Sequence, residues 1–343
     1  MESYPISPLE SKSVNLSRLG PPSFEWLTKN IRILGNRFAF IAPWLRLAGL
    51  RWLIGYWIWI AVFRLIALTL LTYFMITGNH GVRFEELSDA FTSNELTFMG
   101  VGSALFVLAC RWLPSQSILS PPQPLPALSK AAWLPGFTQG SILAGGIVLV
   151  FLLLGSHQYL GFFIQMDGAP IALLTLFVRT LALCSFAYFD EYIFRKQIEA
   201  PLIHELCQGE KRWIRQLQVT AGTALLYATV RWVQFDLGWM TFFTLLLLSS
   251  SLSLRAAHSK SFVQGAGFIA GILIFFQPIC SLPVFGSDFM GLLLMKYQSK
   301  TMETDYFTRL LTGGAGGPLS SLSLQVLLAI DLYRNFRLAK KSI

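Results

Sequence analysis

Long apolar stretches broken by short polar segments dominate the chain. A helix needs about 20 mostly apolar residues to cross the roughly 30 Å hydrocarbon core of a bilayer. Runs at about 52–77, 96–112, 138–156, 171–195, 216–234, 238–255, 261–282 and 318–334 approach or meet that length, the second, sixth and last being the shortest. The pattern predicts an all-α polytopic membrane protein of about eight transmembrane helices. Between the runs, residues 113–126 (LPSQSILSPPQPLP) hold too many prolines for a helix and form an extended linker. GGAGGP at 313–318 breaks helix before the last span. The segments 157–169 and 283–317 read as loops. Residues 24–38 set Phe24, Trp26, Leu27, Ile31, Leu34 and Phe38 against Lys29, Arg32 and Arg37, the pattern of a helix lying in the membrane interface. The polar, Pro/Ser-rich residues before it read as a loose tail rather than a signal peptide.

These features divide the chain into a tail with interfacial helix (1–51), a two-span N-terminal extension (52–112), a Pro-rich linker (113–137), a six-span part (138–337) and a basic C-terminal tail (338–343).

Composition makes the membrane reading firm. Hydrophobic residues are 54% and charged residues only 13%, where a water-soluble domain carries roughly a quarter charged. An ordinary soluble enzyme is excluded. The net charge of +9 need not imply nucleic acid, because the basic residues gather beside the apolar runs, where they set orientation and meet anionic lipid. Lys12, Arg18, Lys29, Arg32, Arg37, Arg46 and Arg51 precede the first run, and Arg334, Arg337, Lys340 and Lys341 close the chain. Both termini are therefore expected in the cytoplasm. Cys110, Cys184, Cys207 and Cys280 lie in or beside apolar runs with no CxxC spacing, as small buried hydrophobes.

Ionisable groups inside a span are costly and become functional candidates by default. Arg64 and Arg179 stand alone and can snorkel, pair with a neighbouring helix or face a wet cleft. FAYFDEYIFRKQIE is richer: Asp190 and Glu191 are adjacent, and Arg195 follows Glu191 by one helical turn. Such a carboxylate is a candidate general base; the alternative is a buried ion pair holding helices in register. The fourth and fifth runs form a hairpin turning near Gly209. Glu191 lies 18 residues before that turn and Arg231 22 after it, a depth mismatch of about 6 Å at 1.5 Å per residue. Arg231 is thus expected to meet the carboxylates.

Asp190-Glu191-Tyr192-Ile193-Phe194-Arg195 resembles the first motif, EExxxR, of the CPBP family, the CAAX-processing and bacteriocin-processing intramembrane endopeptidases. The family's second motif is FxxxH on the next helix, and the matching positions are Tyr227 and Arg231. Its third places a histidine in a phrase like SLWAAIGLHAG two helices on; SFVQGAGFIAG, Ser261 to Gly271, is similar in spacing and small-residue character, with Ile269 at the histidine position. The likeness covers roughly residues 136–337.

The resemblance implies a CPBP-like core in which motif glutamates and histidines activate water, with zinc in some members. This chain departs where that chemistry sits. Asp190 replaces the first glutamate, Arg231 the first histidine and Ile269 the second. A guanidinium stays protonated and offers no lone pair, so Arg231 neither binds metal nor shuttles a proton. None of His80, His157, His204 and His258 stands in a motif position, so no cofactor is expected and zinc has no histidine ligand. Asp190 and Glu191 against Arg195 and Arg231 would sum to zero charge. The expectation is a pseudoprotease of a bacterial inner membrane, embedded in lipid and binding or scaffolding a membrane-embedded or lipidated peptide. Two alternatives stay open. One is an active endopeptidase with Glu191 as base and Arg231 stabilising the oxyanion. The other is a transporter, which the chain's lack of an evident internal repeat disfavours.

Overall fold

The computed structural model describes residues 48–77, 84–112, 129–163, 169–206, 212–287, 289–298 and 302–342. The tail, the interfacial helix, the Pro-rich segment and the turn at Gly209 lie outside the described residues.

The fold is mostly helical. The first three helices are α1 (Ala48–Thr77), α2 (Phe84–Trp112) and α3 (Lys130–Leu153). A strand β1 (His157–Phe162) leads to α4 (Ala169–Glu191), which runs through a π-helical stretch (Tyr192–Glu199) into α5 (Ala200–Leu206). Then come α6 (Arg212–Phe235), α7 (Trp239–Ser259) and α8 (Phe262–Ile274), the last extended by a π turn (Phe275–Ile279). Strand β2 (Leu293–Tyr297), α9 (Met302–Thr312), two 3-10 turns and α10 (Leu322–Ser342) complete it.

Among the described residues, five helical segments are long and apolar enough to cross a bilayer: Leu53–Leu70, Lys130–Leu153, Ala172–His204, Trp239–Ser259 and Phe262–Ile279. Large apolar side chains, such as Leu65, Ile142, Leu174 and Ile330, point outward from the bundle, as suits an integral membrane protein whose solvent is lipid. Helices also occupy the other three apolar runs. There α2 has a shorter apolar segment, Glu95–Cys110, while α6 and α10 carry charged and amide side chains that lower their apolarity, among them Arg215, Gln216, Asp331 and Asn335.

The all-α expectation needs correction. β1 and β2 pair antiparallel, from His157 opposite Tyr297 to Phe162 opposite Leu293. In sequence both segments resemble plain loops because each strand is short and without alternation; the pairing joins residues over a hundred positions apart. Within the second of these segments, α9 is a further helix. The glycine run behaves as expected: Gly313 sits at φ +79 and ends α9.

Close packing of α3 on α8 depends on glycine from both sides. A Cβ on Gly136 or Gly140 would stand 2.0 or 2.1 Å from the carbonyl oxygens of Gln264 and Phe268. On Gly267 or Gly271 it would stand 2.4 or 2.3 Å from those of Trp133 and Phe137. Two small-xxx-small faces thus meet backbone to backbone. On the other side α2 packs along α4, with Gly100 against the Ala182 carbonyl. Helix α1 joins α2 through Tyr56 to Ser103 (2.9 Å) and Trp59 to the Gly102 carbonyl (2.9 Å).

Candidate functional site

Asp190 and Glu191 end the regular part of α4, and the π-helical stretch that follows widens the turn. It carries Arg195 and Glu199 on the face of Glu191. Arg195 Nε lies 3.4 Å from Glu191 Oε1, and Arg195 Nη1 lies 2.9 Å from Glu199 Oε2. The facing α7 brings a serine ladder. Arg195 donates to the Ser249 hydroxyl (2.6 Å), the Ser249 carbonyl (2.9 Å) and the Ser253 hydroxyl (2.7 Å). Ser253 also donates to Glu199 (2.9 Å), and Thr220 of α6 donates to its other oxygen (3.3 Å).

Asp190 points toward α6 and pairs with Arg231. Both side chains are fully enclosed, at 0% exposure. The Arg231 guanidinium lies 5.0 Å from the ring of Phe186, 5.6 Å from Tyr227 and 5.7 Å from Phe194, so three aromatic faces supplement one carboxylate. Arg231 also donates to the side chain of Gln234. Tyr227 stands between the two arginines, its ring 6.0 Å from Arg195.

The structure brings Asp190, Glu191, Arg195, Arg231 and Tyr227 together, Arg231 meeting Asp190 while Glu191 faces Arg195. Ile269 sits buried on α8, one turn beyond Gly265, in apolar packing. Gly265 itself touches the site: a Cβ there would lie 2.8 Å from Glu191 Oε2. Among the described residues neither carboxylate oxygen of Glu191 receives a hydrogen bond, nor do the amide atoms of buried Gln197 find partners.

The expected charge balance does not hold. Glu199 makes three carboxylates (Asp190, Glu191, Glu199) to two guanidinium groups (Arg195, Arg231), one negative charge in excess. The sequence reading missed Glu199, although its spacing of four from Arg195 repeats that from Glu191 to Arg195. It also missed Ser249 and Ser253, which the run SSSLS inside an apolar span signals.

Arg64 and Arg179 both pair with neighbouring helices rather than snorkel. Arg64 meets Glu95 of α2 and the Gln234 carbonyl (3.1 Å). Arg179 donates to Gln277 (2.8 Å), Thr97 and Ser287 (3.1 Å). Arg255 of α7 forms a third centre, bonded to both Asp331 oxygens (2.9 and 3.0 Å) and to Gln139, and lying over the Phe268 ring at 4.3 Å. Cys110, Cys184 and Cys280 have free thiols. Among the described residues no group of three His, Cys, Asp or Glu side chains is placed to hold a metal.

Comparison with family models, with curated proteins and with solved structures returns no match for this chain.

Proposed function

We propose that this is a CPBP-like intramembrane protein whose protease site has become a structural ion-pair network, and that it binds or scaffolds a membrane-embedded or lipidated peptide. The observation that carries the reading is the seat of Arg231: its guanidinium is paired to Asp190, walled by three rings and closed to solvent. In the resembled family this motif position is a histidine that works on water. Here the donor set does not fit zinc, since a guanidinium has no lone pair to give. Reconstituted full-length protein should cleave neither CAAX-type nor other family substrates. Cleavage that disappears in Glu191→Gln would overturn the proposal.

One observation favours the second reading, an active endopeptidase with Glu191 as base: the Glu191 carboxylate is free of hydrogen bonds and lies against Gly265, which has no side chain to cover it. The same cleavage assay decides between the two.

The proposed topology has eight crossings, with both termini in the cytoplasm of a bacterial inner membrane. Its support is parity and pairing. β1 and β2 are hydrogen-bonded and so share one side, which requires an even number of crossings between them. Three apolar segments intervene, so α6 must be the fourth. α10 runs parallel to α7 along its length, from Ser320 beside Thr241 (2.8 Å) to Asn335 beside Ser251 (2.8 Å), and crosses with it. α2 likewise runs parallel to α4, Thr97 meeting Arg179 and Gly100 meeting Ala182.

A further inference from the structure

A groove of about 370 Å³ runs between α6, α7 and α10 on the outside of the bundle. Its walls are Leu217 and Ala221 of α6, Ser250 and Leu254 of α7, and Ala329 and Leu332 of α10. That volume is within the range of small-ligand clefts, and the walls are mostly apolar. The groove lies at the end of the bundle where α6 begins and where α7 and α10 finish.

The α10 wall continues past the groove as one helical stripe. Ala329, Leu332, Tyr333 and Phe336 line it, and Lys340 follows Phe336 at the next turn of the same face. Arg337 stands beside it, its guanidinium 6.0 Å from the Tyr333 ring. Arg337 and Lys340 are both exposed. Across the mouth Trp213 packs on Phe336, ring centroids 5.4 Å apart; tryptophan is a residue type that gathers at the interface between lipid and water. A basic mouth above an apolar trough is complementary to a molecule with a negative head and a hydrocarbon tail. The floor connects inward, because Thr220 lines the groove and donates to Glu199.

We propose that this groove holds one acyl chain of an anionic phospholipid, with the phosphate between Arg337 and Lys340. The site requires neither the protease ancestry nor the sidedness proposed above. The phospholipid also covers apolar wall next to the buried network, so occupancy should brace α6 and α10 against α7.

Native mass spectrometry of the full-length protein, offered equal amounts of phosphatidylglycerol and phosphatidylcholine of matched chains, tests the assignment. One retained lipid per chain is expected, predominantly phosphatidylglycerol. Arg337→Gln with Lys340→Gln removes two cations, each worth about fivefold near a charged surface, and should lower phosphatidylglycerol affinity roughly thirty-fold while leaving phosphatidylcholine unchanged. Ala221→Trp fills the trough and should abolish retention of both lipids. Ala329→Trp does the same from the opposite wall, should the first variant fail to fold. Equal retention of the two lipids by the unaltered protein would overturn the proposal. So would retention that survives both tryptophan variants, displacement of the lipid by glycerol phosphate alone, or displacement by a lipidated peptide at lower concentration than by phosphatidylglycerol.

Discussion

Two seams hold this bundle together by opposite means. Along α3 and α8 the backbones meet through Gly136, Gly140, Gly267 and Gly271. Between α4, α6 and α7 the contact is made by Asp190, Glu191, Arg195, Glu199 and Arg231 with serine and threonine partners. In lipid, apolar side chains gain nothing by leaving their surroundings, so helices associate through close van der Waals packing or through polar groups that lipid cannot satisfy. The glycine seam tolerates no added atom. At the Asp190–Arg231 pair the charged seam tolerates no missing partner.

Substitutions on either side can break that contrast. Gly140→Leu drives a side chain into the Phe268 carbonyl, which is main chain and cannot swing aside. Its cost should fall in the exceptional range above about 4 kcal/mol, read as loss of monodisperse protein in detergent. Arg231→Leu leaves Asp190 buried without its cation and should cost about 3–5 kcal/mol. Adding Asp190→Leu should recover most of that loss in thermal unfolding, whereas Gly140→Leu should have no such single-residue rescue.

His157 brings a titrating group to the start of β1, just past the C-terminal end of α3. It is buried, stacked on Phe151 at 5.0 Å and bonded to Ser156 (3.0 Å). Burial holds its imidazole at about 4, below the ordinary 6.5. The unfolded chain takes up a proton below pH 6.5 and the folded chain does not until about 4. Stability is therefore full above pH 6.5 and falls as pH drops, by about 1 kcal/mol at pH 5.5; His157→Phe should flatten the profile. The smallest effect belongs to Glu191→Gln. It removes the excess negative charge at a carboxylate without hydrogen bonds, so unfolding should shift by less than about 0.5 kcal/mol or move toward stability. A large loss would show that Glu191 is bound as firmly as Asp190.

Much of this was legible in the sequence, and the limits have physical causes. The apolar runs gave the helices because length and hydropathy are local. Hairpin arithmetic set Arg231 level with the two carboxylates, since equal distances from a turn give equal depth, but depth alone did not say that Asp190 rather than Glu191 would take it. The β1–β2 pairing was hidden because register between distant short strands leaves no local pattern. Glu199 was hidden for another reason: the six-residue motif ends at Arg195, while the π-helical stretch continues the same face to residue 199. The spacing from Gly136 to Gly140 and from Gly267 to Gly271 was readable as a close-packing signal. Which helices those faces would join was not, because nothing in either segment names its partner.

The parallel alignment of α10 with α7 has a consequence for biogenesis. α10 holds Asp331 and Asn335 at positions that Arg255 and Ser251 of α7 satisfy, and its own apolarity is below that of the five long segments. A lone carboxylate costs a few kcal/mol in an apolar surrounding, so α10 packs favourably there only with Asp331 seated against Arg255 of α7. A nascent chain released before residue 331 leaves Arg255 without its counter-charge. Docking of α10 on α7 then closes a charge pair that every earlier stage of synthesis leaves open, and chains stalled before residue 331 should be recognised and degraded as unpaired.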